Sequence, residues 1–231
     1  VFNHSPIDEF YDESRRKICL LDDNFLGYSD WKDLLLQLIA TGRKFKFKQG
    51  LDERILTKEK CELLFNSYYD GEYTFAFDNI KDYSLINDQL IMIRNYTSTT
   101  NIKFYVLVGY ESVDEKDIEN AFRRIELLFK YKCLPYVMRY QSKTSAPWKI
   151  SKYRSLYVTI ARWANQPKIV KKMSFRQFCI ANQALIKRSN YTCSSMKSMM
   201  EFEKDFPNIA KRYFDLRYSF IMHRDYNSAV R

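Results

Sequence analysis

The stretch ICLLDDNFLGYSDW, residues 18–31, sets an apolar run directly against Asp22, Asp23 and Asn24 and follows it with helix-forming residues. An aliphatic run ended by short polar side chains reads as a strand that stops where the chain turns into a helix. The figure recurs. KICLL (17–21), KFKFK (44–48), YTFAF (73–77), KFYVLV (103–108) and LPYVMR (134–139) start 27, 29, 30 and 31 residues apart. Between them, DWKDLLLQLIA puts Trp31, Leu34, Leu35 and Leu38 on one helical face, and DEKDIENAFRRIELLFKY does so with Ile118, Phe122, Ile125, Leu128 and Phe129. Ser29, Thr57 and Asp114 stand where N-caps are expected, each ahead of acidic residues that suit the positive end of a helix dipole.

Strand, helix and strand repeating at this interval is the mark of βαβ units, whose right-handed crossovers make neighbouring strands parallel. The expected class is α/β. Each strand is followed by polar groups or a glycine: Asp22-Asp23-Asn24, Gln49-Gly50-Leu51-Asp52, Asp78-Asn79, Gly109-Tyr110-Glu111 and Tyr140-Gln141. Any one of these reads equally as a cap for the next helix. Five in register instead predict a shared mouth, because ligands of parallel α/β folds bind at the carboxyl ends of the strands. No GxGxxG follows the first strand and no GxxxxGK[ST] occurs, so a glycine-loop phosphate cradle is unsupported. A full eight-stranded barrel takes about 250 residues of such repeats, and here they stop after the fifth strand.

Composition narrows the classes. With 46% hydrophobic residues, 18 Tyr and 17 Phe against five Gly and five Pro, the 231-residue chain predicts a packed, element-rich structure. No run is long enough for a membrane span, and VFNHSPIDEF lacks the layout of a signal peptide, so the expected location is cytoplasmic and away from membranes. Five cysteines, the closest two 14 positions apart, give no CxxC and no local thiolate metal site. Each is expected as a small buried hydrophobe, Cys19 and Cys133 within strands. With only His4 and His223 present, a His-rich zinc site is not expected.

In order and spacing, ICLLDDNFL, FKFKQGLDERIL, YTFAFDNIKD, IKFYVLVGYES and CLPYVMRYQ resemble strands two to six of a radical SAM core domain. They are most similar to iron–sulfur oxidoreductase-like members carrying DDNF and QGLD-R motifs. The resemblance spans roughly residues 15–170, including LYVTIARWANQP after the last strand. It implies a partial (β/α)6 TIM-like barrel missing its first strand over residues 1–147, with a basic, aromatic-rich helical extension over 148–231. It also implies a [4Fe-4S] cluster held by a CxxxCxxC loop and reductive cleavage of S-adenosylmethionine (SAM) to a 5′-deoxyadenosyl radical. No CxxxCxxC occurs in this sequence. Strand one and the cluster loop are therefore expected upstream in a longer protein, the alternative being a cluster-less relative. The enzyme assignment depends on that segment.

By the same resemblance, Asp22, Asp23 and Asn24 receive the SAM amino group, and Gln49, Asp52 and Arg54 form the third-strand motif, Arg54 able to fork the methionine carboxylate. The alternative for Arg54 is a surface salt bridge with Asp52 or Glu53 and no ligand role. Asp78 reaches the ribose. Val108 and Gly109 lie against adenine, the missing Cβ allowing close approach. Met138 and Tyr140 close the adenine side or simply pack there. No metal-ligating residue is assigned, and the substrate is unknown.

Charge adds a second theme. Residues 1–115 carry −6 and residues 116–231 carry +16, with 19 Lys and Arg against five Asp and Glu over 139–231. Such a half suits nucleic acid or another polyanion, or is a solvated basic surface over inward-facing aromatics. Two alternatives to the radical enzyme follow: a cluster-less α/β module binding nucleic acid through its basic helices, and a non-radical barrel enzyme using the Asp22, Asp23 and Asp78 carboxylates.

Overall fold

The computed structural model describes residues 6–110, 113–186 and 191–218. Glu111, His4, His223 and the end of the last aromatic helix segment, from Ser219, lie outside the described residues. The chain is α/β, with a two-stranded parallel sheet and a three-stranded sheet in the order β3-β4-β5. It forms two compact units, residues 1–76 with 81–103 and residues 77–80 with 104–231.

In the first unit, the short α1 (Ile7–Phe10) leads to β1 (Lys17–Leu20), which pairs in parallel with β2 (Lys44–Phe47), Lys17 opposite Lys44 and Leu20 opposite Phe47. Successive side chains of a strand point to opposite faces, so Ile18 and Leu20 are buried while Lys17 and Cys19 are exposed. Cys19 therefore corrects the expectation of a core thiol; the other four cysteines are buried. The crossover helix α2 (Trp31–Ala40) buries Leu34, Leu35 and Leu38 at helical spacing. Its N-cap is Asp30, one residue past the expected Ser29. α3 (Lys58–Phe65) starts as expected, the Thr57 hydroxyl accepting the Lys60 N–H at 3.2 Å. β3 (Tyr73–Ala76) and α4 (Tyr83–Tyr96) complete the unit, Ile86, Leu90 and Ile93 facing inward.

The second unit holds most of β4 (Ile102–Val108), then α5 (Glu115–Lys130), β5 (Leu134–Arg139) and the helices α6 (Arg154–Ala164), α7 (Pro167–Val170), α8 (Phe175–Ala184), α9 (Ser194–Asp205) and α10 (Pro207–Tyr213). The expected face of α5 is fully buried: Ile118, Phe122, Ile125, Leu128 and Phe129. Phe122 packs among Trp163, Phe175, Tyr213 and Phe214 at ring separations of 5.4 to 6.3 Å, so these four aromatics of the helical extension are core, whereas Tyr191 is exposed. Asn165 finishes one sheet edge like a surrogate strand, accepting the Val137 N–H at 2.6 Å and donating to its carbonyl at 3.0 Å. A covered edge cannot template further pairing.

A buried guanidinium fixes where the strands end. Arg124 is 2% exposed, and its Nη1 donates to the carbonyls of Phe77, Asp78 and Leu107 at 2.9, 2.8 and 2.9 Å. The carbonyls at a strand exit have no ladder partner, and leaving them unsatisfied in the interior is costly. Among the described residues, no helix is long and apolar enough to cross a membrane. Arg124→Met removes the donor and keeps the packing volume, and should lower unfolding free energy by at least about 1–3 kcal/mol, the cost of one buried carbonyl left without a donor, in urea titrations. A loss below about 0.5 kcal/mol, the range of ordinary surface changes, would refute the clamp.

Candidate functional site

Parallel pairing of β1 and β2 in register sends their carboxyl ends the same way, so the motif residues after each strand emerge on one end of that sheet. Asp22 is half-buried and Asp23 exposed after β1, and Asp22 lines a cleft of about 570 Å³ that runs along β1 past Ile18, Cys19 and Leu20. Asn24 turns inward, its Nδ2 only 2.8 Å from where a Cβ on Gly27 would lie, so a side chain there would displace the Asn24 amide. Its Oδ1 is buried and accepts no hydrogen bond among the described residues.

After β2, Gln49 is exposed, and Leu51 re-enters the core with its N–H on the Thr74 carbonyl at 2.7 Å. Asp52 and Arg54 then form a forked pair, Nε and Nη2 of the guanidinium donating to the two carboxylate oxygens at 2.8 and 2.9 Å. This surface salt bridge is the alternative expectation for Arg54. The Arg54 hydrogen bond holds the Asp52 carboxyl below its ordinary range. With the Arg54 side chain 57% exposed, the pair adds little to stability.

Two buried charges beside this motif are not legible in the sequence as functional. Glu53, 3% exposed, accepts the Ala76 N–H at 3.1 Å through Oε2. Burial pushes its carboxyl up to about 7, hydrogen bonds from backbone N–H groups oppose the shift, and the nearby Asp52 charge adds to it. Lys60 donates to the carbonyls of Leu26 and Ile55 at 2.9 and 3.0 Å and lies over the Trp31 ring, burial lowering its pKa. Glu53 falls inside the quoted QGLDER motif. The signal that would have found it is its place one residue into the turn, where the chain re-enters the core.

In the second unit, Asp78 follows Phe77 at a strand exit and gives its carbonyl to Arg124. Val108 is buried at the end of β4. Gly109 adopts φ +71, and a Cβ there would lie 2.7 Å from Cβ of Trp148, so this side chain occupies the space that the missing Cβ opens. The Gly109 N–H donates to Asp117 at 2.7 Å, and burial raises the Asp117 carboxyl against that bond and the nearby Tyr157 hydroxyl. Met138 is exposed and Tyr140 half-buried at the end of β5. The Tyr140 ring lies 4.7 Å from Tyr110, and its carbonyl accepts the Trp148 indole N–H at 2.7 Å.

Among the described residues, no group of three or more His, Cys, Asp and Glu side chains is placed to hold a metal ion. No known family model and no curated protein matches this sequence.

Glu53 gives a pH signature. Between its ordinary value of 4.5 and about 7, the folded protein holds a proton that the unfolded chain has released. Stability therefore falls as pH rises through that window and levels above it, by about 3 kcal/mol in all at 1.36 kcal/mol per unit. Glu53→Gln keeps an acceptor for the Ala76 N–H and should flatten this portion of a stability–pH curve measured by urea unfolding. An unchanged slope in the variant would show that the titrating group lies elsewhere.

Proposed function

We propose that this chain is the SAM-binding part of a radical SAM enzyme core, its parallel strands forming part of a (β/α)6 TIM-like barrel. The observation that carries this reading is the buried, unpaired Oδ1 of Asn24 beside Asp22 and Asp23, at the end of a strand whose parallel neighbour leads to Gln49, Asp52 and Arg54. A buried acceptor left without a donor costs about 1–3 kcal/mol, and an ammonium group supplies that donor. The two carboxylates give it a charge-assisted partner. Arg54, exposed and already holding Asp52, turns its fork toward a ligand carboxylate by exchanging one carboxylate for another.

The fit is uneven across the motif set. The first unit offers acceptors and a guanidinium suited to an amino acid end. In the second unit, taken by itself, Trp148 covers Gly109, and Met138 is exposed and Tyr140 half-buried at the β5 end. The [4Fe-4S] cluster does not fit this chain. Cys61, Cys133, Cys179 and Cys193 are buried, and Cys19 stands alone at the surface. No step is therefore drawn through a cluster. Five free thiols suit a reducing compartment such as the cytoplasm.

A second reading, a non-radical enzyme working through carboxylates, gains from Glu53, whose near-neutral carboxyl matches the requirement for a general acid or base. Equilibrium dialysis separates the two. Labelled SAM should bind saturably to the chain, and Asp23→Ala and Asn24→Ala should each weaken it by roughly tenfold, the equivalent of one lost hydrogen bond to a charged group. Absence of saturable SAM binding would overturn the proposal, and divalent-metal binding abolished by Asp22→Ala would install the carboxylate reading. Anaerobic treatment with iron and sulfide should leave the protein colourless and unable to form 5′-deoxyadenosine.

A further inference from the structure

The basic residues of the second unit fall into two groups. One is neutralised from within: Arg176 forks Glu203 at 2.8 Å and reaches Asp215 at 3.0 Å, Lys152 holds Asp205, and Arg124 is consumed by carbonyls. The other gathers around Tyr218. The Lys171 ammonium lies 5.6 Å from the centre of the Tyr218 ring, and the Tyr218 hydroxyl donates to the Lys132 carbonyl at 2.8 Å. These two contacts bring the Lys171 ammonium and the Lys132 backbone to one aromatic side chain. Lys168 and Lys172 flank Lys171 in the same helical stretch, which continues past α7 with the Lys172 and Met173 N–H groups on the Ile169 carbonyl. Lys130 ends α5 two residues before Lys132, and Arg217 precedes Tyr218. Among the described residues, none of these six side chains makes an ion pair, and all but the half-buried Lys132 are exposed.

We infer that the six basic residues on the segments that meet at Tyr218, Lys130, Lys132, Lys168, Lys171, Lys172 and Arg217, form a docking surface for the phosphate backbone of a double-stranded nucleic acid. This inference is independent of the SAM reading. Unpaired cations close together repel one another, and a polyanion that releases its counterions on contact relieves that repulsion. The apolar composition of the patch selects among polyanions. Tyr218 and Tyr131 are 8% and 6% exposed, so no ring is offered for stacking against unpaired bases. Val170 is buried and Ile169 half-buried, so the stretch carries no exposed apolar wedge of the sort an anionic membrane surface takes up. What remains exposed is charge alone, which reads a duplex backbone without reading its sequence.

Fluorescence anisotropy with a labelled mixed-sequence duplex, as DNA and as RNA, tests the assignment on the 231-residue chain. The logarithm of the binding constant should fall linearly with the logarithm of salt concentration, with a slope of up to about −5 at 0.9 per phosphate neutralised. The triple variant Lys168→Glu, Lys171→Glu, Lys172→Glu should lower the magnitude of the slope by about 3 on the same scale and weaken binding more than tenfold at low salt. A control with the same charge change at exposed Lys58, Lys116 and Lys197 should retain most of the affinity. Equal losses in both variants would reduce the effect to net charge and overturn the site. So would a flat salt response, or binding to phosphatidylserine vesicles without binding to either duplex. Unchanged circular dichroism of the variants excludes unfolding as the cause.

Discussion

Where a parallel strand ends, its last carbonyls and the first N–H groups of the loop lose their ladder partners while still inside the protein. In the second unit this is met by charges from one helix. Arg124 of α5 gathers the carbonyls of Phe77, Asp78 and Leu107, and Asp117, two turns earlier on the same helix, takes the Gly109 N–H. Asp117 thereby holds Gly109, whose positive φ seats Trp148 against it. In the first unit Glu53 accepts the N–H of Ala76, the last residue of β3, and Lys60 of α3 donates to the Leu26 and Ile55 carbonyls in the turns that follow β1 and β2. Buried charge here is a means of ending strands, and a candidate ligand site lies at those ends.

This arrangement explains why the strand ends of the two units, each taken by itself, differ in character. Groups that are fully engaged by backbone, such as Arg124 and Asp117, hold loops in place and are not free to serve a ligand. Groups at the margins, Asn24 with its unpaired oxygen and Arg54 with an exposed, exchangeable partner, are the ones able to take up new contacts. Glu53 stands between these roles, structural through Ala76 and chemically competent through its near-neutral carboxyl.

Much of the fold could be read from periodicity, because burial of Ile118, Phe122, Ile125 and Phe129, or of Ile18 and Leu20, is decided by spacing alone. The strand bounds differ from expectation by at most one residue, those of β5 not at all, and the N-cap of α2 is Asp30 in place of Ser29. What spacing does not disclose is the fate of charged residues on the edge of an apolar face. Arg124 in FRRIE looks like a solvated neighbour of Arg123, yet it lies next to Ile125 and seven residues from Asp117, close enough to the buried stripe to turn inward. Cys19 shows the reverse: a strand position suggested burial, and alternation with Ile18 and Leu20 turned it outward. Trp148 at Gly109 is a contact between positions distant in sequence, which local pattern does not reach.

The account rests on the ends of β1 and β2 acting together on one ligand. The most direct measurement is a SAM titration of the isotopically labelled chain followed by amide chemical shifts. Progressive, saturable shifts confined to residues 21–24 and 49–54, with the Asn24 side-chain amide among them, are the predicted result. Saturable shifts elsewhere with those two segments unmoved would contradict the account.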